Sequence, residues 1–145
     1  MSDRNSSRRA SREALLKMLF QMEVQGDFSE KARKNFSEEF LGEKLDREYF
    51  DSVFDAYITH NDEIDDLIEK YSRGWKVERL AKVDLCALRI CITEMLYLND
   101  DTVPEAAAIN EAVRIVKIYG TEESQRFVNG ILGKISRDFK KTDEK

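Results

Sequence analysis

Apolar side chains recur along this chain at steps of three and four, the spacing that gathers them on one face of an α-helix. Leu15, Met18, Leu19 and Met22 form the first such stripe, predicting a helix from about Arg8 to Val24. Ala32, Phe36 and Phe40 mark a second over Glu30 to Leu41. Phe50, Val53, Phe54, Tyr57, Ile64, Leu67, Ile68 and Tyr71 trace a long third helix opening near Arg47, with Asp46 placed to cap it. The segment from Leu80 to Leu98 is apolar on nearly every side, as a helix buried in the middle of a bundle would be. A fifth helix is expected from Pro104 to Tyr119 on Ile109, Ala112, Val113 and Val116. A sixth follows Thr121, a cap residue, on Val128, Ile131, Leu132, Ile135 and Phe139, leaving 140–145 as a frayed polar tail.

Alternating β-branched runs are missing, so the expected class is all-α, with two three-helix bundles packed together. The bundles are expected over residues 8–74 and 75–139, with a basic arm over 1–12 entering the first helix. Gly26, Gly42, Gly74 and Gly120 each follow a periodic stretch, where a helix end calls for a residue that accepts positive φ. Pro104 suits a first helical turn.

Charge adds an asymmetry. The 145 residues carry a formal net charge of −5, which by itself argues against nucleic acid. Yet Arg4, Arg8, Arg9 and Arg12 give residues 1–12 a net +3, against −8 on the rest. Residues 27–69 hold fourteen acids against five bases, with Asp62, Glu63, Asp65, Asp66 and Glu69 crowded together. That face reads either as a solubilising surface or as a dock for a basic protein. The arm leaves three readings open: nucleic acid, a solvated tail, or an anionic protein partner. Arginines beside a helix N-terminus oppose its dipole, at about 0.3–1 kcal/mol each, and a bound phosphate would relieve that conflict.

Catalytic and metal chemistry find little support. His60 is the single histidine, no Cys-x-x-Cys or His-Glu-x-x-His spacing occurs, and no Gly-rich phosphate loop or serine elbow is present. Cys86 and Cys91, about 140° apart on a helix, cannot pair with each other and suit a core. No apolar run reaches the roughly 20 residues of a membrane span, and no signal peptide pattern follows the basic start. A cytoplasmic protein without cofactors is expected.

Four further features draw attention. Trp75 stands at the junction of the halves, where a core plug is expected, beside the basic Lys76, Arg79 and Lys82. Asp84 interrupts an apolar helix, so it either pairs with a base across a gap or meets a partner. Asn110 and Asn129 fall within apolar faces and are expected to bond backbone or a neighbouring helix, while Gly130 suggests close helix approach. Phe127 beside Arg126 reads as a stacking platform or an ordinary core ring.

Four segments in order resemble the NusB family of bacterial transcription antitermination factors. They are Arg8-Arg9-x-x-Arg12-Glu13 running into Ala14-Leu15-x-x-x-Leu19-Phe20-Gln21, the Trp75-to-Arg89 stretch, Val103-Pro104 with Ile109-Asn110-Glu111-Ala112, and Phe127-Val128-Asn129-Gly130-Ile131-Leu132. The resemblance covers about residues 8–136 and implies two three-helix bundles without enzymatic activity. It implies binding of the boxA element of ribosomal-operon leader RNA, best together with NusE, a small-subunit ribosomal protein, within the RNA polymerase antitermination complex. It points to Arg8, Arg9, Arg12 and Phe20, with Lys17, and to Phe127, with Arg126, as RNA contacts. Asp84 and Glu123 match acidic positions tied to RNA or NusE contact. Phe20 stands where tyrosine is common and Lys17 where glutamine is frequent, which keeps stacking and adds charge. Some RNA methyltransferases carry such a domain, but this chain is too short to add their catalytic one. Self-association through the Phe20/Met22 region is a further expectation. The competing functional reading is a helical protein–protein adaptor that uses its acidic face and touches no RNA.

Overall fold

The computed structural model describes residues 2–40, 42, 44–98 and 105–143, with side chains placed between 6 and 139. Six helices follow one another: α1 (Ser2–Gln25), α2 (Glu30–Phe40), α3 (Arg47–Tyr71), α4 (Lys82–Leu96), α5 (Glu105–Tyr119) and α6 (Glu122–Asp143). A short 3-10 turn, Val77–Arg79, joins the halves, and the described residues contain no strand. Pro104, expected to open the fifth helix, lies outside the described residues. The sixth helix runs on through Asp143, past the point where a frayed tail was expected.

Local chemistry explains most of the boundaries. Asp46 Oδ1 accepts from the Tyr49 backbone N–H at 3.0 Å, capping α3 as its sequence position predicts. Ser11, buried in α1, ties the same corner by accepting from the Asp46 N–H at 2.9 Å. Thr121 and Ser124 cap α6 reciprocally, each hydroxyl accepting the other's N–H at 3.1 Å. A Cβ at Gly120 would lie 2.8 Å from both Ser124 Oγ and Val116 O, so this corner admits only glycine without rearrangement. Positive φ occurs at Gly26 and Gly74 but at neither Gly42 nor Gly120, so two of the four expected left-handed ends are realised.

α3 breaks its regular backbone at His60, with φ −114° and ψ 20°. Asn61 Nδ2 donates to Ile58 O at 3.0 Å there, a side-chain bond that competes with the helical ladder. The His60 ring stacks on Tyr97 with centroids 4.0 Å apart, so α4's end sits against the kink.

α4 is the spine, touching α1 and α3 on one side and α5 and α6 on the other. Leu85, Cys86, Ala87, Leu88, Ile90, Cys91 and Ile92 are all buried along it, which is why its hydrophobicity shows no polar face. Both cysteines are free, and burial pushes the Cys86 thiol up to about 12. The bundles therefore share one core, from Leu15 and Phe50 through Leu88 to Leu132 and Ile135.

Arg89 is the charged exception on this spine. It is buried, bonds Asp65 of α3 through two N–H groups at 3.0 and 2.9 Å, and reaches Glu23 of α1 at 2.7 Å. Its guanidinium also lies over the Tyr57 ring at 5.3 Å. One side chain thus clamps three helices, with its charge matched by two carboxylates.

Candidate nucleic-acid interface

Beginning α1 at Ser2 changes the electrostatics expected for its arginines. Arg8, Arg9 and Arg12 lie more than a full turn inside the helix, beyond the reach of its positive end. Each also meets a carboxylate from another part of the fold. Arg8 Nε is 3.7 Å from Asp46 Oδ2, and its guanidinium covers the Tyr49 ring at 5.2 Å. Arg9 donates to both oxygens of Glu111, at 3.1 and 3.0 Å. Arg12 does the same with Glu94, at 3.0 and 2.8 Å, with only 8% and 4% of the two side chains exposed.

These contacts correct two expectations. The conflict between the arginines and the helix dipole does not exist, and no phosphate is required to relieve it. Arg12 in particular is buried, with its guanidinium bonded twice to Glu94. Burial opposes its charge, yet hydrogen bonds and attraction from Glu94 hold its pKa above the ordinary arginine value. Glu111 is the hub of the outer part of this network, lying 3.3 Å from Arg114 and 4.0 Å from Arg12 as well as bonding Arg9. Burial pushes its carboxyl up, but the Arg9, Arg114 and Arg12 cations together bring it below the usual glutamate value. Arg9 keeps 55% of its side chain in solvent.

The acidic stretch divides in the same way. Asp65 belongs to Arg89, and Glu69 accepts from the Val77 N–H at 3.0 Å. Glu63 accepts from Tyr97 Oη at 3.2 Å. Asp62, Glu63 and Asp66 stay exposed, so of the five crowded acids Asp65 and Glu69 turn inward to internal partners while the other three keep an acidic surface.

Two grooves flank the first turn of α4. Val83 lines one, with Lys17, Phe20, Gln21 and Val24 of α1 and Tyr119 of α5. Phe20 is 39% exposed there, and Lys17 Nζ sits 5.8 Å from the Tyr119 ring centre. Asp84 lines the other, with Arg126, Phe127 and Glu123 of α6 and Trp75 of the junction. Glu123 and Arg126 are exposed, and Phe127 is half-buried. Phe20 and Phe127, far apart in sequence, thus stand on either side of one helical turn.

Trp75 is not the expected plug. It is 56% exposed, while Val77 takes the buried position at the junction. Arg73 and Gly74, at φ 62° and 83°, turn the chain just before it. Asp84 also departs from the first of its two expectations, a base paired across a gap. α4 starts at Lys82 rather than Leu80, so Asp84 falls in its first turn, where a carboxylate suits the dipole. It pairs with no base; it is 6% exposed, and its Oδ1 has no hydrogen-bond partner among the described residues. Burial pushes its carboxyl above the usual aspartate range, partly offset by the Ser124 hydroxyl. Asn110, Asn129 and Gly130 are exposed, and nothing stands within 4 Å of a Cβ at Gly130. Their expected burial and close helix approach are not realised, because the helices turn those positions to solvent.

Among the described residues no cluster of His, Cys, Asp and Glu is arranged to hold a metal, and no helix is long and apolar enough to cross a membrane.

Known proteins share both the sequence pattern and this arrangement of helices. A family model described as the NusB family matches residues 9–137. A transcription antitermination protein NusB of Acetivibrio thermocellus is 46% identical over 128 residues, covering 88% of this chain and 87% of that protein. A T. maritima NusB structure superposes with a TM-score of 0.76 at 37% identity, over 89% of both chains. A crystal structure of antitermination factors NusB and NusE in complex with dsRNA gives a TM-score of 0.78 at 26% identity, covering 95% of this chain and 98% of that one.

Proposed function

This chain belongs to the NusB family of transcription antitermination proteins, and from that membership we propose that it binds boxA RNA of ribosomal-operon leaders jointly with NusE. Bound so, it promotes read-through by RNA polymerase in the cytoplasm. It acts by positioning RNA and protein rather than by catalysis. The similar structure holding NusB, NusE and dsRNA supports this class of partners.

The observation that carries the reading is the pairing of surface aromatic and cation on both sides of α4's first turn. Phe20 with Lys17 forms one pair and Phe127 with Arg126 the other. An aromatic face stacks on an unpaired base, and a nearby cation meets the adjoining phosphate. Arg9, at the open edge of its Glu111 pair, extends the positive surface along α1. Arg8 and Arg12 serve by holding α1 against α3 and α4, not by touching RNA. The basic ribosomal partner meets a body whose net charge is negative, so electrostatic steering favours the encounter.

Fluorescence anisotropy with a labelled boxA oligonucleotide and a scrambled control, with and without NusE, tests the reading. The expected result is a preference for boxA that strengthens when NusE is present. Equal affinity for both RNAs under both conditions contradicts it.

A further inference from the structure

The groove between the junction and α6 extends beyond Phe127. It has a volume of about 680 Å³, within the roughly 300–1,000 Å³ typical of ligand sites. Trp75, the single tryptophan of the chain, lines it with more than half its surface in solvent. An exposed indole in a concave site offers stacking area that the fold itself leaves unused. Arg79, Arg126 and Lys134 border the same groove, and none of them makes an ion pair among the described residues. Asp84 lies at the groove's wall with a buried carboxylate oxygen that accepts no hydrogen bond among the described residues. An unsatisfied buried acceptor is costly until a donor reaches it.

These four features belong to one ligand chemistry. An aromatic face takes a base, free cations take phosphates, and the open acceptor takes an amino or imino N–H of a base edge. Lipid or an apolar peptide would leave the three cations and the carboxylates of Asp84 and Glu123 unmatched. We propose that this groove is a second nucleobase site, in which Trp75 stacks on an unpaired base of the same RNA strand that passes Phe127. The inference rests on the RNA-binding reading above and adds to it a stretch of RNA lying over the junction of the two halves.

Because Trp75 is unique, its fluorescence reports on this groove alone. The probes are a boxA-containing single-stranded RNA and oligouridine of equal length, titrated against the full chain with and without NusE. Stacking predicts quenching of Trp75 that saturates together with RNA binding measured by anisotropy. Trp75→Ala is expected to weaken RNA binding by about 5- to 150-fold, the span of one base–aromatic stack, and Trp75→Phe to retain most of the affinity. Far-UV circular dichroism checks that Trp75→Ala keeps its helices, as an exposed position should. RNA binding with unquenched Trp75 and an unaffected Trp75→Ala variant would overturn the second site while leaving the first reading intact. Fluorescence that responds to NusE alone, and not to RNA, would also overturn it by assigning the groove to protein. Absence of RNA binding by the wild-type chain under all conditions would remove both.

Discussion

Arg8, Arg9 and Arg12 on α1 and Arg79, Arg126 and Lys134 around the α6 groove are equal in number and opposite in circumstance. The first three face Asp46, Glu111 and Glu94, which approach from α3, α5 and α4 or their caps. The second three border a groove with no carboxylate paired to them among the described residues. Formal charge is the same in both places, but on α1 each cation faces an internal carboxylate, and burial adds desolvation at Arg8 and Arg12 though not at Arg9. A cation bound bidentately inside the protein must first give up that carboxylate before it can hold a phosphate. Positive charge in a sequence therefore locates a nucleic-acid surface only after the partners of each residue are known.

The largest effect that sharpens this contrast is expected on stability. Arg12→Ala strands Glu94 without its counter-ion and should cost about 3–5 kcal/mol in a urea denaturation. The double variant Arg12→Met, Glu94→Met should recover much of that loss, because an apolar pair needs no mutual charge. A loss under about 1 kcal/mol for Arg12→Ala would place this arginine with the exposed group. At the groove the reverse pattern is expected. Arg126→Ala with Lys134→Ala should shift stability by no more than about 0.5 kcal/mol per site. Its effect should appear in RNA binding, where the logarithmic salt slope becomes shallower by roughly 0.7 for each phosphate no longer neutralised. Arg9 lies between the two regimes. Arg9→Ala should cost at most about 1 kcal/mol, the usual limit of a solvent-exposed pair, and should weaken RNA binding modestly. Strong destabilisation would move it to the interior class.

The smallest effect concerns Asp84 and pH. Burial raises its carboxyl pKa in the folded state, so the folded protein holds that proton more tightly than the unfolded chain does. The ionisation penalty is absent below the unfolded aspartate value of about 3.9 and sets in as pH rises through the folded value. Asp84→Asn removes it. The variant should therefore gain on the wild type, by on the order of 1 kcal/mol, between about pH 3.5 and pH 7. Denaturation curves at the two pH values give the difference, and a gain in the opposite direction would mean that the first turn of α4 stabilises the charge more than burial opposes it.

Much of the framework is legible without a structure. Periodicity finds six helices, Asp46 and Thr121 mark two starts, and the uniformly apolar α4 announces its central place. What stays hidden depends on residues distant in the chain. Glu94 is 82 positions from Arg12 and Glu111 is 102 from Arg9, so no local pattern discloses that these arginines are already paired. Helix boundaries matter as much. Moving the start of α1 to Ser2 removes a dipole conflict, and moving the start of α4 to Lys82 turns Asp84 from an intruder into a first-turn residue. Trp75 misleads for another reason: its size suggests a core, but Gly74 and Arg73 turn the chain so that Val77 fills the junction instead. Asn129 and Gly130 show how an apolar helix with one solvent face can make exposed neighbours look buried.

The central claim is that RNA passes the two aromatic–cation pairs flanking α4 and avoids the paired arginine interior of α1. Photo-crosslinking of a 4-thiouridine-substituted boxA RNA to the complex with NusE, followed by peptide mapping, tests it most directly. Crosslinks to the segments holding Phe20 and Phe127 are predicted. Crosslinks confined to Asp62 and Asp66 on α3, or none to this chain at all, would contradict it.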